Sequence, residues 1–271
     1  MTFIEIIGYF GALFIGMVMG LTGSGGSILS VPILAYLFKY DEKTATAYSL
    51  FIVGVTAILG SIRVMRAKMV NVSLILYFGI PAIFGVLFSR RVLLPLMPDD
   101  LFEVFGFVVS RRMFIFGLFA FLMLIAFYTM AFQSKTTIKK PSNGGIKFHP
   151  LIITEGFSLG LFMGLVGAGG GFLMVPALML ISKLPIKEAV GTSMVIVCMN
   201  SLIGFFGGDF FYMTIYWTFL LSFVSISVIG IIIGGNLSNY IDSTRLKQGF
   251  AYFVLCMAIF IFIMEFVVKQ S

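Results

Sequence analysis

The residues with the clearest capacity for chemistry are two glycine-rich loops, GSGGS at 23–27 and GAGGG at 167–171. Each loop directly precedes a short apolar segment, which predicts that it lies at the start of a helix. The first amides of a helix lack partners within the helix and carry the positive end of its dipole. Glycine lets a ligand approach these amides closely. The pattern therefore predicts an anion-binding cradle, formed by Gly23, Ser24, Gly25, Gly26, Ser27, Gly167, Ala168, Gly169, Gly170 and Gly171.

The alternative for these glycines is helix packing. The glycines upstream of each loop are spaced by four residues, as at Gly16 and Gly20, and at Gly156, Gly160 and Gly164. This spacing lets membrane helices approach closely, so we interpret the upstream glycines as packing positions. A GSGG run is too flexible to serve as a packing surface alone. We therefore favour a binding site at the loops, and we expect the two loops to meet near the centre of the protein.

Polar groups inside the apolar segments form a second set of candidates: Ser49, Thr56, Thr192, Ser193, Asn200 and Ser201. Hydroxyl and amide groups can donate to an anion, or they can make interhelical hydrogen bonds, and both interpretations stay open. Glu155 and Asp209 are candidate proton-coupling carboxylates, although their positions near helix ends favour interfacial charges. Because the basic residues are assigned to loops and helix ends, we expect the backbone to supply most of the positive potential at the site.

The residues needed for most enzyme chemistry are missing. The single histidine, His149, lies in a polar linker, and GSGGS is not followed by the Lys of a phosphate-binding loop. Cys198 and Cys256 lie in apolar segments, so no disulfide framework is predicted. We expect no enzyme activity, cofactor or metal. The basic residues are dispersed in short clusters, which argues against a nucleic-acid-binding surface.

The elements that must position these residues are membrane helices. The chain has 271 residues, of which 60% are hydrophobic and 11% charged, and its mean hydropathy is +1.11. Such a surface must face lipid, so the composition predicts an all-α polytopic membrane protein. The predicted segments are 3–21, 26–38, 44–62, 72–94, 112–132, 150–166, 170–182, 187–207, 213–236 and 247–268, with an interfacial stretch at 99–110.

The two halves of the chain repeat at an offset of 144 residues. Residues 16–50 and 160–194 share 15 identities in 35 ungapped positions, including five glycines, a proline and a serine. We predict a first transmembrane repeat at 1–132, a cytoplasmic linker at 133–149 and a second repeat at 150–271. The first repeat carries about nine extra residues near 101–110.

The basic residues favour inverted over parallel repeats. If each glycine-broken pair is a hairpin, each repeat contains that hairpin and three further transmembrane helices, and the repeats are inverted. Eleven of the 18 Lys and Arg residues then share the side of the linker, which the positive-inside rule makes cytoplasmic. They are Arg63, Arg66, Lys68, Lys135, Lys139, Lys140, Lys147, Lys183, Lys187, Arg245 and Lys247; the other side has Lys39, Lys43, Arg90, Arg91, Arg111, Arg112 and Lys269.

The motifs GLTGSGGSILSVPIL and GLVGAGGGFLMVPAL, each followed by a helix of small residues, resemble the TauE/SafE sulfite exporter family over residues 10–265. The resemblance implies transport of sulfite, thiosulfate or organosulfonates such as sulfoacetate. It carries over the glycines at 23, 25, 26, 167, 169 and 170, with Ser49, Thr192, Ser193 and Asn200. Ser27 and Tyr48 depart from their counterparts Gly171 and Thr192, so the two half-sites are expected to be unequal.

We therefore predict a secondary transporter of small sulfur-containing anions in the cytoplasmic membrane, working by alternating access. An anion channel and a non-transporting membrane scaffold or sensor are the alternatives. Coupling to a proton or to Na+ and assembly as a homodimer are left open. The expected partners are the anion and the lipid bilayer.

Overall fold

The computed structural model describes residues 3–23, 25–104, 107–132, 150–167, 169–181, 184–238, 240 and 243–268. Ser24, Ala168 and the predicted linker 133–149 lie outside these described residues. The first half contains α1 (Phe3–Thr22), α2 (Ser27–Leu37), α3 (Glu42–Arg66), α4 (Val72–Leu96), β1 (Asp100–Val104), β2 (Phe107–Ser110) and α5 (Arg111–Phe132). The second half contains α6 (Pro150–Val166), α7 (Gly171–Ile181), α8 (Ile186–Gly204, extended by a π-helical turn at Phe205–Asp209), α9 (Trp217–Leu237) and α10 (Ser243–Ile263, extended by Met264–Val268).

The prediction of an all-α polytopic membrane protein is confirmed. Seven of the described helices, α1, α3, α4, α5, α8, α9 and α10, are long and apolar enough to cross a membrane. Each of these helices has apolar side chains on two faces: one face is buried in the core and the other is exposed toward lipid, as expected for helices that pack on one side only. Phe51 and Phe205, for example, are buried in the core, whereas Phe10 and Phe84 are exposed.

The stretch at 99–110, expected to be a simple interfacial segment, is a β-hairpin in which β1 pairs antiparallel with β2. Fourteen residues separate α4 from α5, against five between α9 and α10, so the hairpin accounts for the nine extra residues of the first half. Arg111 anchors it: Nη2 lies 2.7 Å from Asp99 Oδ1 and 2.8 Å from Glu42 Oε1. The insertion therefore packs against the amino terminus of α3.

Two parallel helix pairs, each joining one half to the other, depend on the spaced glycines. In the pair of α1 and α9, a Cβ on Gly16 would collide with the backbone of Ser227. In the pair of α6 and α4, a Cβ on Gly160 would collide with the backbone of Ala82. The interpretation of the upstream glycines as packing positions is confirmed, because backbone meets backbone at both crossings.

The centre of the bundle is an antiparallel pair formed by α3 and α8. Ser61 Oγ donates to the carbonyl oxygen of Met194 at 3.3 Å, and Gly54 packs on Leu202. The residue numbers therefore rise along α3 as they fall along α8. Because these helices occupy corresponding places in the two halves, the halves meet through equivalent elements that run in opposite directions.

A second antiparallel pair is formed by α5 and α10, and a buried carboxylate fastens it. Glu265, 1% exposed, lies 2.9 Å from Arg112 Nε through Oε1 and accepts a hydrogen bond from the Tyr36 hydroxyl at 3.2 Å through Oε2. The Arg112 guanidinium also lies over the rings of Tyr36 and Phe116. These contacts tie α2 to the α5 and α10 pair.

The short helices do not span the membrane. At 1.5 Å per residue, the 11 residues of α7 and the similar length of α2 each cover about 16 Å, against a hydrocarbon core of about 30 Å. Helix α2 runs back along α1, since Gly11 lies against Ile33 and Gly8 against Phe38. The first glycine break therefore joins a long helix to a short one in a hairpin.

We predict that Gly16→Ala weakens the crossing of α1 and α9 and lowers the free energy of unfolding by about 1–3 kcal/mol, because the new methyl group must push two backbones apart. The measurement is thermal unfolding of the purified protein in detergent. Gly249→Ala is the matched control, since a Cβ on Gly249 in α10 would meet nothing within 4 Å. Equal losses in both variants would contradict the role of the crossing.

Candidate functional site

The glycine loops adopt backbone conformations that favour glycine. Gly23 has a φ of +89°, and its counterpart Gly167 has a φ of +72°. The second loop continues with Gly169 at +60° and Gly170 at +68°, whereas Gly26 has a φ of −62°. L-residues rarely adopt the positive values. The second loop is thus the more dependent on glycine.

The first glycines of the two loops lie at opposite ends of the central helix pair. Gly23 packs against Val190 near the amino terminus of α8, and Gly167 packs against Thr46 near the amino terminus of α3. From Thr46 to Arg66, α3 extends about 30 Å. Gly23 and Gly167 are therefore not brought together, although the short helices α2 and α7 that follow them do make contact.

Several of the predicted polar residues have local partners. Ser49 shares a hydrogen bond with Ser30, Thr192 Oγ1 accepts from the amide of Asn71 at 2.9 Å, and Ser193 Oγ donates to the carbonyl of Val190 at 2.9 Å. These bonds are the interhelical and local contacts expected if the groups serve packing. A substrate-binding role for the three residues stays a prediction.

Asn200 differs from that group. It is 1% exposed, and neither its amide nitrogen nor its amide oxygen has a hydrogen-bond partner among the described residues. Ile196 lies one turn earlier on the same face of α8 and meets Gly79, and Gly204 lies one turn later and meets Val86. Asn200 therefore lies on the face of α8 that packs against α4.

The most strongly charged feature of the site is Arg90, near the carboxyl end of α4. Its side chain is 0% exposed, and Nη1 lies 3.2 Å from Asp209 Oδ2 and donates to Thr46 Oγ1 at 3.2 Å. Nη2 lies against Gly167, where a Cβ would be 2.5 Å from it. The guanidinium thus fills the space between α3, α8 and the second glycine loop.

One edge of this guanidinium is open. Nε and Nη2 of Arg90 are buried and have no hydrogen-bond partner among the described residues. Two further buried hydroxyls have no hydrogen-bond partner among the described residues: Ser201 Oγ, against Gly169 of the same loop, and Ser89 Oγ, against Gly164 at the end of α6. Buried polar groups are normally paired, so these donors are candidates for binding an acceptor from outside the protein. The chemistry of the donor set is that of an anion site.

The first loop has no such cluster among the described residues. Val190 occupies the position against Gly23 that Thr46 occupies against Gly167, and the Phe250 ring lies against Gly25. Ser27 is fully buried at the start of α2. The side chains that pack on the first loop from α8 and α10 are therefore apolar, and the Thr22 hydroxyl accepts from the Gly25 amide. This agrees with the expectation that the two half-sites are unequal.

The backbone was expected to supply most of the positive potential at the glycine loops, but the Arg90 guanidinium lies beside the second loop. Arg90 falls inside the predicted segment 72–94. An ionisable residue inside a membrane segment marks a functional position by default, and this signal was available. Asp209, expected to be an interfacial charge, is instead the ion-pair partner of Arg90. Glu155 has one buried oxygen without a partner but lies outside this cluster.

Comparisons with known proteins agree with this architecture. The family model described as sulfite exporter TauE/SafE matches residues 9–261. YunE of Bacillus subtilis is 30% identical over 213 residues, which cover 71% of this chain and 73% of YunE. A Xylella fastidiosa protein is 25% identical over 255 residues, covering 91% of this chain and 90% of its own.

Both relatives are described as probable membrane transporter proteins. No solved structure matches the chain. The family match spans nearly the whole helical bundle, including both glycine loops and the helices that pack on them. The chain belongs to the TauE/SafE sulfite exporter family of membrane transporters.

Proposed function

We propose that the protein is a secondary transporter that carries a small sulfur-containing anion, such as sulfite, thiosulfate or an organosulfonate, across the cell membrane. The observation that carries the proposal is the open edge of Arg90 beside the second glycine loop. Nε and Nη2 lie on the same edge of the planar guanidinium and form a fork that can hold two oxygens of one anion. The family's name supports this class of substrate, and the relatives' descriptions support membrane transport.

The neighbouring groups suit an oxyanion with several oxygens. The buried hydroxyls of Ser89 and Ser201 and the buried amide of Asn200 have no partner among the described residues and are further candidate donors to the anion. The left-handed glycines at 167 and 169 keep Cβ atoms out of the space in front of Arg90 and Ser201. The backbone amides that follow add dipoles of the same sign. Charge comes from Arg90, and the glycine loop supplies access.

We also propose that the repeats 1–132 and 150–271 are inverted and that transport proceeds by alternating access. Support comes from the antiparallel crossing of α3 and α8, which are equivalent helices of the two halves. Helices of the same repeat position that cross in opposite directions are what an axis in the membrane plane produces. Movement of one repeat against the other would then expose Arg90 alternately to the two sides.

The anion-site prediction concerns Arg90→Gln. We expect this variant to lose thiosulfate-dependent thermal stabilisation and thiosulfate uptake, because the open guanidinium edge supplies the only full positive charge among the described residues facing Gly167. Arg91→Gln is the matched control: it removes the same charge from the next residue, which is exposed and donates to the Gly207 carbonyl.

The control should retain at least half of the wild-type stabilisation. The measurements are thermal shifts with sulfite, thiosulfate, sulfoacetate, sulfate and chloride, followed by uptake and counterflow in proteoliposomes. Full stabilisation of the Arg90 variant would contradict the site. Uptake without counterflow would indicate a channel in place of a carrier.

The orientation prediction concerns single cysteines in a chain whose Cys198 and Cys256 are replaced by serine. Inverted repeats put Asn143 in the linker and Tyr212, which is 80% exposed after α8, on opposite sides of the membrane. A membrane-impermeant maleimide should label Tyr212→Cys in intact cells and Asn143→Cys only after permeabilisation. Parallel repeats put both residues on one side, so identical labelling would contradict the inverted arrangement.

A further inference from the structure

The buried ion pair of Arg90 and Asp209 has a consequence for energy coupling, and this inference rests on the proposed function. We propose that Asp209 is the proton-binding group of the transporter: it takes up one proton when the anion binds to Arg90 and releases it when the anion leaves. The chemistry is a simple protonation, in which a proton from water bonds to a carboxylate oxygen of Asp209.

The contacts of Asp209 make it dependent on Arg90. Its Oδ1 and Oδ2 lie 3.3 Å and 3.2 Å from the same atom, Nη1 of Arg90. Oδ2 has no hydrogen bond among the described residues beyond this ion contact. The carboxylate therefore lies end-on to Nη1 and leaves the Nε and Nη2 edge open. An anion on that edge and the carboxylate on Nη1 share one positive charge.

The net charge of Arg90, Asp209 and the bound anion determines whether Asp209 takes up a proton. Without the anion, Arg90 and Asp209 together are neutral. A bound anion would leave a net negative charge in a buried site, −1 for a monoanion and −2 for a dianion such as thiosulfate, which is unfavourable in a low dielectric. Protonation of Asp209 removes one negative charge, and Arg90 cannot contribute because a guanidinium does not change its charge in proteins. Asp209 is thus the group whose charge can adjust to the anion.

Among the described residues of α3 and α4, which pack around Asp209, no other charged group is placed to take up the proton. On α4, Arg91 turns to the Gly207 carbonyl. On α3, Glu42 is paired with Arg111, Lys43 is exposed, and Thr46 is uncharged. The guanidinium 3.2 Å from the carboxylate also disfavours Na+ there, because a second cation would be repelled.

Asp209 and Arg90 differ in the solvent exposure of their side chains. The Asp209 side chain is 12% exposed, whereas the Arg90 side chain is 0% exposed. Water can therefore deliver a proton to Asp209 directly in this conformation, while Arg90 is reached only through the cluster. Linkage is reciprocal: if protonation of Asp209 strengthens anion binding, a bound anion strengthens protonation of Asp209 by the same factor. A proton gradient can then drive the anion in the same direction.

The test measures proton uptake with a pH indicator in weakly buffered detergent solution while thiosulfate is added. Wild-type protein should take up about one proton per bound anion, and its Kd should rise by up to about tenfold per pH unit where the free protein's Asp209 is ionised. Asp209→Asn mimics the protonated side chain. It should bind thiosulfate without proton uptake, with a Kd that is independent of pH.

Glu188→Gln is the matched control, because it removes a carboxylate from the opposite end of the same helix and should keep the wild-type proton uptake. Anion binding by wild-type protein without proton uptake overturns the inference and leaves the proposed function standing. Equal proton uptake by wild type and Asp209→Asn also overturns it. Failure of the wild type to bind any of the tested anions at any pH overturns the proposed function, and this inference with it.

Discussion

The arrangement of this site depends on one constraint: a guanidinium that is always charged is buried inside a bundle of membrane helices. Isolated burial of such a charge is strongly unfavourable, so the surrounding structure must compensate it. Asp209 supplies an opposite charge and Thr46 an acceptor, but both lie at Nη1. The compensation is therefore incomplete by geometry, and the open edge faces the loop that contains Gly167. In the proposed function, a bound anion completes it.

The helix crossings explain how such a site can be held in lipid. Gly16 against Ser227 and Gly160 against Ala82 bring backbones into contact, so the two halves interlock through close packing. Lipid offers no hydrophobic drive between helices, which makes this close packing the main source of rigidity. The irregular backbone of the glycine loops is tolerated because these interlocked helices shield it from lipid.

The two glycine loops, which are equivalent in the repeat, have different neighbouring side chains. At corresponding positions, Thr46 lies against the second loop and Val190 against the first. Arg90 also lies against the second loop, and Phe250 lies against the first. One loop therefore has donors and charge, and the other has apolar neighbours. A duplicated architecture allows this division, since one half can retain the packing geometry while the other acquires the polar chemistry. The central pair of α3 and α8 connects both loops and is suited to transmit movement between them.

The fold class and the helical segments could be predicted from local sequence, because apolar length records them directly, whereas the division into two repeats stays a prediction from the aligned glycines. The placement of the glycine loops at helix starts was predicted, and the structure adds that Gly23 and Gly167 adopt positive φ values there. The stretch at 99–110 was predicted as an interfacial segment, and its β-hairpin was not predicted. An insertion this short has no hydrophobic periodicity that distinguishes a strand from a helix. Only the tertiary structure decided which residues meet: Arg90, Thr46, Gly167 and Asp209 come from four separate segments. Their proximity arises from the crossing of α3, α4 and α8 against the second loop, and no spacing along the chain encodes it.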